Sequence, residues 1–259
     1  MSKITINKIL KKKNKTPIAC LSVYTKNMAQ IVDRHCDIIL VGDSLGMVLY
    51  GMKSTKGVNL DTMILHAKAV KQSTTRSLVV FDMPYKTYTN KFIAYKNIKK
   101  IMKLTKCDAV KLEGGKKIVN IVKYLTNKGI PVMGHIGLLP QSSSSFKVKG
   151  KNFNQKKKIL EDAALLSKAG VFSIILECVV EDLAKLITKS IPIPTIGIGA
   201  SKYCDGQILV INDMLGLSDF NPKFVKRYSN LKKIIENSIK RYVSDVKHSR
   251  FPNIKHSYK

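Results

Sequence analysis

Four carboxylates in this chain each stand at the end of a short apolar run, and this repeated pattern most constrains what the chain can fold into. The four residues are Asp43, Asp82, Glu113 and Glu177. A short aliphatic run that ends in a charged side chain is typical of a buried parallel strand with a polar group at its C-terminal end. Four such ends in one chain predict a common site around a hard cation.

Apolar runs of strand-like length alternate with helical patterns along the 259 residues. The eight runs are Ile18–Tyr24, Asp37–Val41, Leu78–Asp82, Ala109–Glu113, Val132–Ile136, Phe172–Cys178, Pro194–Ile198 and Gln207–Ile211. This alternation predicts right-handed βαβ units and a parallel sheet, and eight units favour an α/β fold closed into a (β/α)8 TIM barrel. The short spacing between the last two runs predicts that one helix is abbreviated or replaced by a turn.

Both ends of the chain are predicted to add helices to this barrel. Thr5–Lys13 is predicted to form a helix that caps the N-terminal mouth, and Pro222–His248 a C-terminal helical extension before a basic tail at about 248–259. Because the chain shows no internal repeat or linker, we expect residues 1–259 to form a single catalytic domain. The Ser142–Ser145 run lies in a long polar segment after the fifth strand, which is typical of a lid or binding loop.

The net charge of +29, from 46 Lys and Arg against 17 Asp and Glu, invites a nucleic-acid-binding interpretation. Only five of the basic residues are arginine, which makes the bidentate contacts to phosphate and guanine, so we expect no nucleic-acid partner. No apolar stretch approaches the roughly 18 residues that span a membrane, and no secretory signal is recognisable. The five cysteines form no C-x-x-C pair, which indicates reduced, mostly buried thiols in a cytoplasmic protein.

The residue types at the strand ends favour magnesium over zinc. No C-x-x-C, H-x-x-x-H or H-E-x-x-H spacing is present, whereas carboxylates with room for water suit Mg²⁺. Lys111 and Glu113 lie two apart on one strand and therefore point to the same side, where the lysine needs an anionic partner. Such a site can bind a 2-oxo acid, because the metal acidifies the C–H next to the keto group and Glu177 can accept the proton.

Each of these residues also has a plainer interpretation. Asp43 could cap the turn that follows it, and Glu113 could be a solvated turn residue. His135 could be a hydrogen-bonded core residue, and Lys111 and Glu113 could form an ion pair without a ligand. The joint pattern favours a site, since several carboxylates at one end of a barrel repel one another unless a cation compensates them.

Six ordered motifs give the chain a resemblance to a known family over about residues 4–257. They are Val41–Met47, Asp82–Tyr85, Val110–Gly115, Gly134–Leu138 with Pro140–Ser142, Leu176–Cys178, and Ile196–Ala200 with Asp205–Val210. The chain resembles the ketopantoate hydroxymethyltransferase family, which implies a TIM barrel of the phosphoenolpyruvate/pyruvate superfamily. The resemblance implies transfer of a hydroxymethyl group from 5,10-methylenetetrahydrofolate to 3-methyl-2-oxobutanoate, giving 2-dehydropantoate for pantothenate biosynthesis.

The same resemblance implies roles for individual residues, an Mg²⁺ cofactor and a homodecamer. The implied Mg²⁺ ligands are Asp43, Asp82 and Glu113; the implied oxo-acid-binding residues are Asp43, Ser44, Asp82 and Lys111; Glu177 is the implied proton acceptor; and His135 is a supporting residue. Two rival functions stay open from the residues alone. One is an Mg²⁺-dependent C–C lyase, which would not depend on folate, and the other is a basic nucleic-acid-binding protein.

Overall fold

The structure is a computed structural model that describes residues 2–143 and 147–258, so residues 144–146 of the predicted lid segment lie outside the described part. By contact pattern the chain divides into two compact units, one up to Val210 and one from Ile211 onward. In the first unit, parallel strands β1 to β8 close into a barrel in sequence order. The predicted TIM barrel is therefore confirmed.

The barrel strands lie close to their predicted positions, and helices lie between most of them, as the alternation predicted. The strands are β1 Ile18–Ser22, β2 Ile38–Val41, β3 Leu78–Asp82, β4 Ala109–Glu113, β5 Val132–Gly137, β6 Ser173–Glu177, β7 Thr195–Ile198 and β8 Gly206–Val210. The helices of this unit are α1 Ile6–Leu10, α2 Lys26–Val32, α3 Leu45–Val48, α4 Leu60–Lys71, α5 Lys91–Thr105, α6 Val119–Asn127, α7 Phe153–Lys168 and α8 Glu181–Ser190, with 3₁₀ turns at Thr55–Gly57 and Lys116–Ile118. As the short spacing predicted, only turns connect β7 to β8.

Alternation along each strand decides which side chains fill the barrel. Leu78 and Val80 on β3 belong to the apolar cluster inside the barrel, as does Ala109 on β4. Because side chains two apart on a strand share a face, Asp82 on β3 and Lys111 and Glu113 on β4 also point into the barrel. The inward-facing side chains of these two strands are therefore apolar where the strand starts and charged at its C-terminal end.

Helix α1 closes the opposite mouth, as predicted. The Thr5 hydroxyl accepts a hydrogen bond from the Lys8 N–H at 3.3 Å and caps the helix. Ile4 and Ile9 are buried in the same apolar cluster as the first residues of the strands. The start of the barrel is thus sealed by aliphatic side chains.

The second unit contains α9 Ile211–Met214, α10 Leu231–Lys247 and a 3₁₀ turn at Ile254–His256. The predicted extension began at Pro222, but α10 begins at Leu231, because the Asn230 side chain accepts from the Lys233 N–H there. Within the described residues, no helix has the length and apolarity needed to cross a membrane.

Candidate active site

The barrel gathers the predicted site residues at its C-terminal end. Strand register sets Asp82 beside Lys111 and Glu113 beside His135. Asp43 follows β2, and its N–H lies 3.3 Å from Asp82 Oδ2. The charged ends predicted from the sequence therefore meet in one buried cluster, with the predicted base Glu177 at the end of β6.

Lys111 is the centre of this cluster. Its Nζ lies 2.7 and 2.8 Å from the two carboxylate oxygens of Asp82 and 3.5 Å from Glu113 Oε1. Burial alone would lower the pKa of Lys111, but the charges of Asp82, Glu113 and Asp43 raise it above its ordinary value. Lys111 is thus a fixed buried cation, and the predicted Lys111–Glu113 pair is secondary to its contact with Asp82.

The carboxylates compete for this single lysine. Burial raises the pKa of Asp43 well above its ordinary value, the charge of Asp82 raises it further, and Lys111 opposes both. Burial also raises the pKa of Asp82, against the charge of Lys111. For Glu113 the effect of burial is outweighed by Lys111 and His135, so its pKa falls to about 2. The cluster therefore holds more carboxyl groups than Lys111 alone can keep ionised.

His135 lies between the predicted metal ligand and the predicted base. Its Nδ1 is 3.4 Å from Glu113 Oε1, and its Nε2 is 3.2 Å from Glu177 Oε2. Burial lowers the pKa of His135, as does Lys111, but the two carboxylates outweigh both and raise it to about 9. Within the described residues neither ring nitrogen has a well-aligned hydrogen bond, so both contacts are ion pairs. This geometry differs from that of a hydrogen-bonded core histidine.

Gln141 connects the carboxylates to the loop after β5. Its side-chain amide donates to Asp43 Oδ2 at 2.8 Å and to the Met83 carbonyl at 2.9 Å, and its N–H donates to Glu113 Oε2 at 3.1 Å. The Tyr88 hydroxyl donates to Gln141 Oε1 at 2.6 Å. Neither residue is predicted from the sequence to act in the site. Gln141 lies in the Pro140–Ser142 motif, which was a signal, whereas nothing in the sequence distinguishes Tyr88.

Ser44, predicted to bind the substrate, is positioned by Tyr24 from the end of β1. The buried Tyr24 hydroxyl lies 2.7 Å from Ser44 Oγ. His66 on α4 in turn places its Nδ1 2.7 Å from the Tyr24 carbonyl oxygen. The serine is thereby held on the side of the barrel that also carries Asp43.

The donor set fits a hard cation, although the described side chains do not form a ready-made ligand cage. In residues 2–143 and 147–258, no three His, Cys, Asp or Glu side chains are arranged around one cation position. The carboxylate oxygens of Asp43, Asp82 and Glu113 instead accept hydrogen bonds from Gln141 and Lys111. Three buried carboxylates beside one lysine nevertheless offer the charge and the oxygen ligands that Mg²⁺ prefers.

A cavity of about 780 Å³ opens beside this cluster. Glu113 and Gln141 form part of its wall, together with Tyr85 and Tyr88 from the segment after β3. The 3₁₀ turn at Lys116–Ile118 and the first half of α7 line another part. Its volume lies within the range of about 300–1,000 Å³ that is usual for small-molecule sites.

The chain is similar over nearly its whole length to named hydroxymethyltransferases. A 3-methyl-2-oxobutanoate hydroxymethyltransferase of Pelagibacter ubique (strain HTCC1062) is 56% identical over 258 residues, which is 100% of both chains. A protein of the same name from Anaplasma marginale (strain Florida) is 49% identical over 98% of this chain and 93% of its own.

Solved structures share the fold at low sequence identity. A phosphonopyruvate hydrolase in complex with oxalate and Mg²⁺ superposes with a TM-score of 0.61 at 10% identity, over 97% of this chain and 93% of its own. A 2,3-dimethylmalate lyase of the PEP mutase/isocitrate lyase superfamily superposes with a TM-score of 0.61 at 10% identity, over 98% of this chain and 88% of its own.

The model of the family described as ketopantoate hydroxymethyltransferase matches residues 3–254. The chain therefore belongs to the ketopantoate hydroxymethyltransferase family of enzymes.

Proposed function

We propose that the enzyme transfers a hydroxymethyl group from 5,10-methylenetetrahydrofolate to 3-methyl-2-oxobutanoate, giving 2-dehydropantoate for pantothenate biosynthesis, with Mg²⁺ as its cofactor. One observation supports this most directly. A buried cluster of Asp43, Asp82 and Glu113 around Lys111 lies next to a further carboxylate, Glu177, whose side chain is 15% exposed. This is a binding site for an oxo acid with a base at its edge.

The metal would be held by Asp43, Asp82 and Glu113. When bound, Mg²⁺ supplies a Lewis acid that withdraws electron density from the keto group and makes the neighbouring C–H more acidic. The protein contributes the excess of buried carboxylate charge that selects a cation. Gln141 restrains two of these carboxylates through its hydrogen bonds to Asp43 and Glu113.

The remaining residues bind the oxo acid and move its proton. Lys111 and Ser44 would hold the substrate carboxylate. The raised pKa of Lys111 favours the positive charge that this contact needs. Glu177 would take the proton from C3, and the cationic His135, 3.2 Å away, keeps the free Glu177 carboxylate in place. Water breaks the two C–N bonds of the donor's methylene bridge, which gives formaldehyde and tetrahydrofolate. C3 then adds to the formaldehyde carbon, and the new alkoxide takes back the proton that Glu177 removed, which gives the hydroxymethyl group.

The test follows deuterium at C3 of 3-methyl-2-oxobutanoate in D₂O by NMR, with Mg²⁺ and without folate, and then adds the donor. We expect Mg²⁺-dependent exchange first and 2-dehydropantoate only after the donor is added. Cleavage of a 2-hydroxy dicarboxylate without any folate requirement would instead identify the enzyme as a lyase. Failure of both exchange and transfer would contradict the proposal.

We also propose that residues 1–259 act as one catalytic domain, that the chain assembles as a homodecamer, and that it works in the cytoplasm. Family membership supports the assembly and the location. The five cysteines are free and buried, which is consistent with a reducing compartment.

A further inference from the structure

The 780 Å³ cavity is much larger than the small oxo acid requires. Binding sites usually enclose most of their ligand, so the volume indicates a second and larger molecule. Because Glu113 and Gln141 lie in its wall, a molecule bound there would lie beside the buried cluster. The one-carbon donor of the proposed function has the necessary size.

Lysines dominate the charge of this cavity. Five line it: Lys86, Lys116, Lys117, Lys149 and Lys158. Only Lys116 pairs with a carboxylate, Glu161 at 2.9 Å; the other four have none within 4.0 Å in the part of the chain that the structure describes. The lining therefore offers several cations without an internal counter-charge.

The two acids of the lining are not free to neutralise these lysines. Glu113 belongs to the buried cluster around Lys111. Asp162 is buried and accepts the Lys116 N–H at 2.7 Å, and the Gly115 backbone lies so close that a β-carbon there would fall 1.9 Å from the Asp162 carboxyl carbon. The carboxylate is thus turned into the wall, and the cavity surface keeps its positive charge.

Another part of the lining is aromatic. Tyr85 and Tyr88 follow β3, and the Tyr88 hydroxyl lies within 3.4 Å of the Glu113 carbonyl oxygen, next to the buried cluster. Tyrosine rings offer flat faces for a conjugated ring system. The cavity thus combines a surface for an aromatic ring near the cluster with unpaired lysines for anions.

We propose that this cavity binds the folate donor, with the lysines Lys117, Lys149 and Lys158 taking the carboxylates of its glutamate tail. This inference rests on the proposed function and adds a preference for donors with several glutamates. Each added glutamate brings one more carboxylate, and lysines at the edge of a cavity gain modestly from each pairing.

The experiment compares 5,10-methylenetetrahydrofolate carrying one glutamate with the same donor carrying four. We expect the KM of the wild-type enzyme to be about tenfold lower for the tetraglutamate, which corresponds to a few weak surface ion pairs. A combined Lys117→Ala, Lys149→Ala, Lys158→Ala variant should lose this preference, so that its KM values for the two donors become equal.

The control removes the same charge elsewhere. Lys96, Lys99 and Lys103 are exposed on α5, outside the cavity lining, and their combined replacement by alanine should preserve the preference. Equal KM values for both donors in the wild type would overturn the inference, as would an equal loss in the control. Folate-free C3 exchange and transfer from the monoglutamate donor separate the two claims. Failure of both contradicts the proposed function, whereas normal exchange and transfer without a tetraglutamate preference contradict only the tail site.

Discussion

Protonation at single residues in this site is decided by neighbours that are distant in sequence. Asp43 accepts a hydrogen bond from Gln141, 98 positions further along the chain. Lys111 keeps its charge because Asp82, 29 positions earlier, lies on the neighbouring strand. A change in one member therefore alters the charge state of the others, and variants of this cluster will not behave additively.

Replacing Asp82 by asparagine tests the cluster at its most connected carboxylate. The Asp82→Asn variant removes one implied metal ligand and the main partner of Lys111, so we expect weaker Mg²⁺ binding and a kcat lower by about 10²- to 10³-fold. Metal titration by calorimetry together with steady-state kinetics measures both. Near-normal kcat without extra metal would contradict this prediction.

Replacing Glu177 by glutamine separates proton transfer from binding. We expect the Glu177→Gln variant to lose C3 exchange in D₂O by about 10²- to 10⁴-fold, because the amide cannot accept the proton. Oxo-acid binding, measured by calorimetry, should persist, since Lys111 and Ser44 are unchanged. Exchange at the wild-type rate would show that another group is the base.

Replacing Gln141 by leucine tests the link between the loop and the carboxylates. The Gln141→Leu variant leaves Asp43 and the Met83 carbonyl without their shared donor, so we expect the free energy of unfolding to fall by about 1–3 kcal/mol. Urea titration measures this loss. The exposed Gln72→Leu serves as the control, and equal stability of the two variants would show that these contacts contribute little.

The sequence could predict the strand-end residues but not the loop residues that restrain them. Asp82, Lys111 and Glu113 follow from two-residue periodicity and parallel register, which are local rules. Gln141 and Tyr88 act through side chains that reach back from loops, and no periodicity governs loop paths. Local patterns therefore indicated the charges of the site and left its hydrogen-bond network undetermined.

At the scale of elements, Asp33 fixes the start of β3 to the end of α2. The buried Asp33 carboxylate accepts the N–H groups of Thr75 at 2.8 Å, Arg76 at 3.1 Å and Ser77 at 2.7 Å, just before β3 begins. Burial would raise the pKa of Asp33, but these backbone hydrogen bonds lower it. The strand that carries Asp82 thus depends on a carboxylate at the other end of the barrel.

An Asp33→Ala variant should lose about 3 kcal/mol of unfolding free energy at neutral pH, because three N–H groups lose a charged acceptor. Since the pKa is lower in the folded state, this stabilisation is complete above the ordinary value near 3.8 and disappears as pH falls through the folded-state pKa. Thermal melts across pH measure the difference. The exposed Asp61→Ala is the control, and a pH-independent difference would contradict the argument.

Two helix starts show why caps are hard to assign from sequence. Asn90 caps α5 by accepting from the Phe92 and Ile93 N–H groups. At the start of α4 both Asn59 and Asp61 could cap, and Asn59 is the residue that accepts from the Thr62 N–H, at 2.9 Å. Both residues are good caps, and the sequence alone does not show which one adopts the extended backbone that a cap requires.

At the scale of the whole molecule, α10 offers a surface at which copies of the chain would meet in the proposed homodecamer. None of its 17 residues is buried, and the exposed Ile235, Ile239, Tyr242 and Val246 follow one another at helical spacing. An apolar stripe of this kind is typical of an interface. The proposed homodecamer gives it a partner, namely another copy of the chain.

We therefore expect the Ile239→Lys variant to lower the mass of the assembly, because a charge replaces the middle of the stripe. Light scattering coupled to size-exclusion chromatography measures that mass. Replacement of the exposed Lys240 by alanine, on the same helix, should leave it unchanged. A monomeric wild-type protein would contradict the proposed decamer.

The aliphatic seal that α1 forms with Ile4 and Ile9 has a kinetic consequence. Because one end of the barrel is closed, the reactants must reach the buried cluster from the opposite rim, where the 780 Å³ cavity also opens. A bulky donor bound there, as proposed, would narrow the route of the smaller reactant. The oxo acid is then expected to enter first and its product to leave last, an ordered sequence that product-inhibition patterns would reveal.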